Sequence, residues 1–335
     1  KMDKFKINGP SKISGEVSIS GSKNSALPIL AATILFDKHV TIKNLPRVKD
    51  IDTMFKLLES LGNKIKFKNN KKIAIISKGT KNNFFAPYSL VKTMRAGILV
   101  LGPLLAKLKK AKVSSPGGCS IGVRPIDIHL KALSKLGAKF KIVKGYVYAS
   151  TKKGLIGSNI KLSKISVGAT ENTILASCLA KGITTISNCA IEPEIKDLTN
   201  FLTTAGANIK WVGKRTLKIE GVKTLKSTNY SIMKDRIEAG TFCVAACLNE
   251  GNLKIKDFDP KTINTEINLL KKIGAKIQTL NDMIEIKGPK KIKNLDFLKT
   301  GVYPSFPTDM QAQFMVLLSK ANGKSIIQEN IFENR

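Results

Sequence analysis

Five segments of the chain are apolar on nearly every side: SALPILAATIL (25–35), TMRAGILVLGPLLAKL (93–108), GATENTILASCLAKG (168–182), IEAGTFCVAACLNEG (237–251) and TDMQAQFMVLLSKANG (308–323). Rich in alanine and apolar around the whole 3.6-residue period, they are expected to be buried helices. Four others are apolar along one stripe only: IDTMFKLLESLG, IDIHLKALSKLG, IKDLTNFLTTAG and INTEINLLKKIG. Each stripe runs out at a glycine (Gly62, Gly137, Gly206, Gly274), and these are spaced 75, 69 and 68 residues apart. A glycine just past the last turn supplies the left-handed residue that closes a helix. The residues that follow (KIKFK, KFKIV, NIKWV) alternate as a strand does. The repeated unit is therefore helix, strand, loop, helix, strand, over roughly 70 residues.

The array breaks off within a unit. Five copies of the all-round helix fit in the chain but only four of the striped one, and the sequence stops at FENR, where the loop before a fifth striped helix would start. Terminal units of a repeat array need closing off. The pattern predicts an α/β protein of repeated units whose last repeat is missing.

At 335 residues the chain is long enough for two or more domains, and its 42% apolar content is that of a folded globular protein. The longest apolar run, Ala96–Ala106, is too short to span a bilayer, and the opening KMDKFKINGP carries no signal-like apolar stretch. A cytoplasmic protein without a membrane partner is expected. Five cysteines (Cys119, Cys178, Cys189, Cys243, Cys247) form no CxxC pair, and His39 and His129 lie far apart, so neither a disulfide framework nor a metal site is predicted. The net charge of +33 invites a nucleic-acid reading. Against it, the cations are nearly all lysine, spread along the chain, with six arginines only; sequence readers lean on arginine. The lysine load reads as coding bias, and no nucleic-acid partner is expected.

Chemistry concentrates in the loops. SSPGGCSIGVRPIDIH (114–129) sets Cys119 between paired glycines, with Arg124 nearby and a helix starting near Pro125. Both neighbours lower a thiol pKa, and a cysteine in so polar a turn is seldom core. SGSKNSALPIL places Lys23 and Asn24 at a helix N-terminus, which suits an anion, although Ser22 or Asn24 capping the helix accounts for it as well. SKISVGAT (163–170), with Lys164 and Ser166 ahead of a helix, repeats that arrangement. Arg95 opens the second buried helix, and a plain surface charge is its alternative. Asp309 in FPTDMQAQ stands in a first helical turn, where the helix dipole alone would favour it.

SGSKNSALPILAATIL, VKTMRAGI, PGGCSIGVRPIDIH, SVGAT, EPEIKD, DRIEAGTF and FPTDMQAQF, ending in IFENR, resemble the UDP-N-acetylglucosamine 1-carboxyvinyltransferases, a branch of the enolpyruvyl transferases. The likeness runs in one register from Met2 to Arg335. It implies an inside-out α/β barrel of repeats in two lobes: residues 1–21 plus 233–335 as an incomplete first lobe, and 22–232 as a second lobe carrying the Cys119 loop. The family's chain continues for about one more repeat, with further arginines that bind phosphoenolpyruvate.

The resemblance also implies an activity, transfer of the enolpyruvyl group of phosphoenolpyruvate to the 3-hydroxyl of UDP-N-acetylglucosamine, with no metal or organic cofactor. By the same likeness Cys119 is the general acid and the site of a phosphoenolpyruvate adduct, and Asp309 is the base. Lys23, Asn24 and Arg124 match residues that hold phosphoenolpyruvate. Arg95, Arg124, Pro125, Ile126, Asp127, Ile128, Lys164, Ile165, Ser166, Val167, Asp309 and Ile331 match contacts to the sugar nucleotide. Two other classes stay in view: a shikimate 3-phosphate enzyme, whose family lacks the PGGC loop, and a basic RNA-binding or RNA-end-processing repeat protein. The sequence carries no signal for oligomeric state.

Overall fold

The computed structural model describes residues 4–80, 82–91, 94–115 and 126–333. After strand β1 (Ser14–Ser18) comes helix α1 (Lys23–Ala32), prolonged by a 3-10 turn, then β2 (Val40–Lys43), α2 (Lys49–Ser60) and a hairpin of β3 (Asn63–Lys68) and β4 (Ile73–Lys78). The next repeat holds β5 (Phe85–Ala86), short α3 (Tyr88–Val91), a 3-10 stretch Arg95–Val100 running into α4 (Leu101–Leu108), β6 (Lys110–Ser114), α5 (Asp127–Lys135), β7 (Lys139–Val143) and β8 (Tyr146–Ser150). The third holds β9 (Asn159–Lys161), α6 (Val167–Ser177), β10 (Ile183–Ser187), α7 (Pro193–Thr204), β11 (Asn208–Gly213) and β12 (Thr216–Glu220), followed by β13 (Thr228–Ser231). The fourth holds α8 (Arg236–Leu248), β14 (Asn252–Lys256), α9 (Asn264–Ile273), β15 (Lys276–Leu280) and β16 (Met283–Lys287). β17 (Phe297–Lys299), α10 (Gln311–Ser319) and β18 (Ile326–Gln328) close the described chain.

The striped helices end as their glycines dictate. Gly62, Gly137, Gly206 and Gly274 take φ of 100°, 94°, 93° and 112°. At Gly137 the Ala138 N–H reaches back to Leu133 O and the Gly137 N–H to Ser134 O, the paired bonds of a Schellman cap. Each helix then turns straight into its hairpin.

Every repeat builds the same sheet. A first strand pairs antiparallel with the second arm of the hairpin, the first arm pairs outside that, and a borrowed strand adds in parallel on the other edge. The orders are β13-β2-β4-β3, β5-β6-β8-β7, β9-β10-β12-β11 and β1-β14-β16-β15. β5 and β9 come from just upstream of the strands they join, whereas β13 returns from the end of its unit to pair Thr228 with Val40. A fifth set starts with β17 parallel to β18.

Two compact units result: Gly21–Met233, and the chain up to Ser20 together with Lys234–Glu333. Within Gly21–Met233 the helices pack on one another, α1 against α2 and α7, α6 against α4, α5 and α7. The three sheets lie outside them, an inside-out arrangement. Alternate strand residues such as Ala74, Ile76, Val147, Ala149, Leu217 and Ile219 point into this core. Lys64, Lys66 and Lys68 face solvent from β3, so lysine accumulates on the outer faces without entering the core. The other unit has its own core around α8 and α9, with Ile255, Ile284 and Phe314. Among the described residues no helix is long and apolar enough to cross a membrane.

The burial expected of the all-round helices is met by α6 and only in part by α10. α6 is buried all round although much of it is polar: Thr170, Glu171, Asn172, Thr173 and Ser177 are all buried. The hydroxyls of Thr170, Thr173 and Ser177 satisfy themselves on the carbonyl four residues back, at 2.7 Å each. α10, expected to be buried, exposes Met315 and Val316 at 49% and 56%, because no further element packs on that side among the described residues.

Candidate active site

The N-terminus of α1 is built around a glycine and a buried carboxylate. A Cβ on Gly21 would stand 1.7 Å from the Asn44 carbonyl oxygen, so only glycine fits there. Ser22 caps the helix, accepting the Ser25 N–H at 3.3 Å, and its own N–H bonds Met233 O at 2.8 Å. The cap role falls to Ser22, which leaves Lys23 and Asn24, both half-buried, on the first turn of a helix with no acidic residue in that turn. The Lys23 ammonium lies 3.4 Å from Asp50. An exposed ion pair of this kind is weak and yields to a competing dianion.

Asp197 on α7 anchors this end of α1. Its buried carboxylate accepts from the Ser25 hydroxyl in a short bond, from the Tyr230 hydroxyl at 2.6 Å and from the Met233 N–H at 3.2 Å. Burial raises its pKa above the ordinary range, against the pull of those three donors. The side chain therefore joins the first turn of α1 to the place where the chain leaves the unit.

A second group of candidates gathers at the N-termini of α5 and α6. Ser166 caps α6 by accepting the Ala169 N–H at 3.3 Å, with Val167 exposed at the first helical position and Lys164 exposed before it. Ile165 is half-buried. Ile126 precedes α5 and is half-buried, and exposed Asp127 opens the helix and pairs with Lys131 at 3.5 Å. The Ile128 side chain is in the core at 4% exposure, so what it can offer a ligand is backbone.

The remaining candidates stand on the other unit. Asp309 lies half-buried in a 3-10 turn (Thr308–Met310) that runs into α10. Glu329 ties this turn to Ile331: it accepts from the Thr308 hydroxyl at 2.9 Å, from the Ile331 N–H at 2.7 Å and from the Phe332 N–H at 3.1 Å. Nothing local singles out Glu329, one acidic residue in a polar loop.

Cys119, Arg124, Pro125 and the Arg95 side chain lie outside the described residues. Cys178, Cys189, Cys243 and Cys247 are all buried. Burial pushes Cys178, Cys189 and Cys247 up to about 12, and Cys243 upward too. None of these four thiols is a nucleophile at neutral pH. A buried carboxylate group escaped the sequence reading: burial, with Glu194 and Glu192 on and before α7, raises Glu171 on α6 well above the ordinary carboxylate range. The signal available was the phrase EPEIKD, three acids within six residues at the start of a striped helix.

A family model described as EPSP synthase (3-phosphoshikimate 1-carboxyvinyltransferase) matches residues 7–335. The chain is 64% identical over 334 residues to a UDP-N-acetylglucosamine 1-carboxyvinyltransferase of Pelagibacter ubique (strain HTCC1062), covering 100% of this chain and 79% of that protein. A protein of the same name from Baumannia cicadellinicola subsp. Homalodisca coagulata is 48% identical over 338 residues, with the same coverage. Among solved structures, the enolpyruvyl transferase NikO from Streptomyces tendae matches at TM-score 0.85 and 20% identity, over 96% of this chain and 76% of NikO. EPSP synthase from Acinetobacter baumannii matches at TM-score 0.72 and 18% identity, over 95% and 74%. At such identities the two structures bear on the fold, which they share.

Proposed function

The chain belongs to the enolpyruvyl transferase family, and from that premise we propose that it moves the enolpyruvyl group of phosphoenolpyruvate onto the 3-hydroxyl of UDP-N-acetylglucosamine and releases phosphate. The observation that carries this reading is the 64% identity, over the whole chain, to a relative named for that reaction.

The chemistry divides into three tasks. A proton delivered to C3 of phosphoenolpyruvate makes C2 electrophilic, and the sugar oxygen bonds to C2 as its own proton leaves. Loss of the C3 proton and of phosphate then restores the double bond. Charge on the donor's phosphate and carboxylate must be met throughout. Cys119 delivers the proton and forms the adduct, and Asp309 takes the hydroxyl proton. Lys23, Asn24 and Arg124 hold the donor; the first turn of α1, capped by Ser22 and free of acidic residues, supports that role. Arg95, Arg124–Ile128, Lys164–Val167, Asp309 and Ile331 hold the sugar nucleotide; Ser166 at the cap of α6 suits a diphosphate. The product is committed to peptidoglycan, and hence to cell-wall growth and division, in the cytoplasm.

The test is phosphate release from phosphoenolpyruvate, with UDP-N-acetylglucosamine and shikimate 3-phosphate supplied separately. Release only with the sugar nucleotide is expected. Release only with shikimate 3-phosphate, or none with either, overturns the reading.

A further inference from the structure

Asn172 sits in the middle of α6 at 0% exposure. Its Nδ2 donates to Ile98 O at 3.0 Å and lies 3.2 Å from His129 Nδ1, while its Oδ1 accepts the Gly102 N–H at 2.7 Å. These partners stand on three other segments: the 3-10 stretch that Arg95 opens, the start of α4, and α5. With α6 itself, they are the segments that carry Arg95, Ile126–Ile128 and Lys164–Val167. Among the described residues of this unit, one buried amide thus meets each helix or 3-10 stretch that carries or directly follows an assigned sugar-nucleotide contact.

The amide also fixes the chemistry of its neighbour. An amide nitrogen only donates, so His129 Nδ1 accepts and the ring proton is on Nε2. Burial holds the ring neutral, its pKa lowered to about 4 against the pull of Asp127. Two glycines make the approach possible. A Cβ on Gly102 would stand 2.4 Å from Asn172 O and 2.5 Å from its Oδ1. One on Gly168, in the first turn of α6, would stand 3.1 Å from His129 Cε1 and 3.3 Å from Nε2. The imidazole edge therefore lies directly against the turn that Ser166 caps.

We propose that Asn172, with His129, is the positioning pair that sets the sugar-nucleotide side of the active site, touching no substrate and acting through the three segments it ties together. The proposal rests on the function proposed above. Asn172→Leu keeps the volume but orphans the Gly102 N–H and Ile98 O. His129→Leu removes the acceptor at Nδ1, whereas His129→Asn puts an amide oxygen in its place.

The experiment measures KM for each substrate, and kcat, in phosphate release by the whole chain. Asn172→Leu and His129→Leu are expected to raise KM for UDP-N-acetylglucosamine about ten-fold, the size set by one or two orphaned buried groups, with KM for phosphoenolpyruvate changed less than about two-fold. His129→Asn is expected to stay near wild type. Equal loss for both substrates, unchanged KM in both leucine variants, or no rescue by His129→Asn overturns the proposal. The wild-type protein supplies a check that needs no variant to fold. The chain has two histidines, so ring ¹⁵N NMR reads His129 beside His39 without ambiguity. His129 in the Nε2–H form supports the pair, and the Nδ1–H form or an imidazolium at neutral pH overturns it. If the wild type turns over no UDP-N-acetylglucosamine, the functional reading falls first and this proposal with it.

Discussion

Removing the Asp197 carboxylate tests how the donor end of α1 is held. In Asp197→Ala three donors lose their acceptor together. They are not equal. The Tyr230 hydroxyl already touches the Asp197 carbonyl at 3.2 Å and can turn to it, so its loss is small. The Ser25 hydroxyl is buried and the Met233 N–H part-buried and fixed in the backbone, and these two carry most of the cost. At 1–3 kcal/mol for an orphaned buried donor and less for the part-buried one, the variant should lose about 3 kcal/mol. Asp197→Asn keeps an oxygen for Tyr230 and turns its amide toward Met233, losing about 1–2 kcal/mol.

The pH dependence sharpens the test. Burial raises the folded pKa of Asp197, so the folded protein keeps this proton to higher pH than the unfolded chain does. Its contribution is fully present below the unfolded pKa of about 4 and falls as pH rises through the folded value. The penalty for Asp197→Asn should therefore be larger near pH 4 than at pH 7. Glu171 adds a slope of the same sign to both proteins and cancels in the difference. Trp211 is the chain's single tryptophan and lies in the same unit, on β11, so its fluorescence during urea unfolding reports the relevant transition. A loss below about 1 kcal/mol for Asp197→Ala, or an Asp197→Asn penalty that grows with pH, refutes the reasoning.

Thiol labelling of the native protein by fosfomycin at pH 8 should give one adduct, on Cys119, because the other four thiols are buried and raised in pKa; peptide mass spectra showing a second site would contradict this. Glu329→Ala should raise KM for the sugar nucleotide about ten-fold by releasing Thr308 and Ile331, while Glu329→Gln, which can still accept both backbone N–H groups, should stay within about three-fold; steady-state kinetics decides. Gly21→Ala, with its methyl driven into the Asn44 carbonyl, should cost at least about 3 kcal/mol in the Trp211 transition, and a wild-type midpoint would show that the backbone can give way.

Periodicity made the helices legible, because a stripe and a capping glycine are local properties. Gly62, Gly137, Gly206 and Gly274 are left-handed as their position after the stripe predicts. What periodicity could not show is which strand closes each sheet. β13 joins β2 across 188 residues, Thr228 to Val40, and nothing in either segment names the other. Polar residues inside α6 were hidden for a related reason: Asn172 reads as a weak helix former until Ile98, Gly102 and His129 are brought to it by the fold. Lys23, Ser166 and Asp309 could be picked out because each sits at a helix start, a position visible in sequence. Glu329 and Asp197 could not, since their work is to hold backbone that is distant in the chain or featureless in composition.

β1 has a consequence for synthesis. Its Ser14 pairs with Asn252, so β1 leaves the ribosome 238 residues ahead of its partner. At 5–20 residues per second that is a wait of roughly 10–50 s, during which the unit Gly21–Met233 can fold by itself. A sticky strand left bare for so long would collect wrong partners. SGEVS, with four of its five residues exposed even when paired, is poor in apolar surface and can wait safely in water.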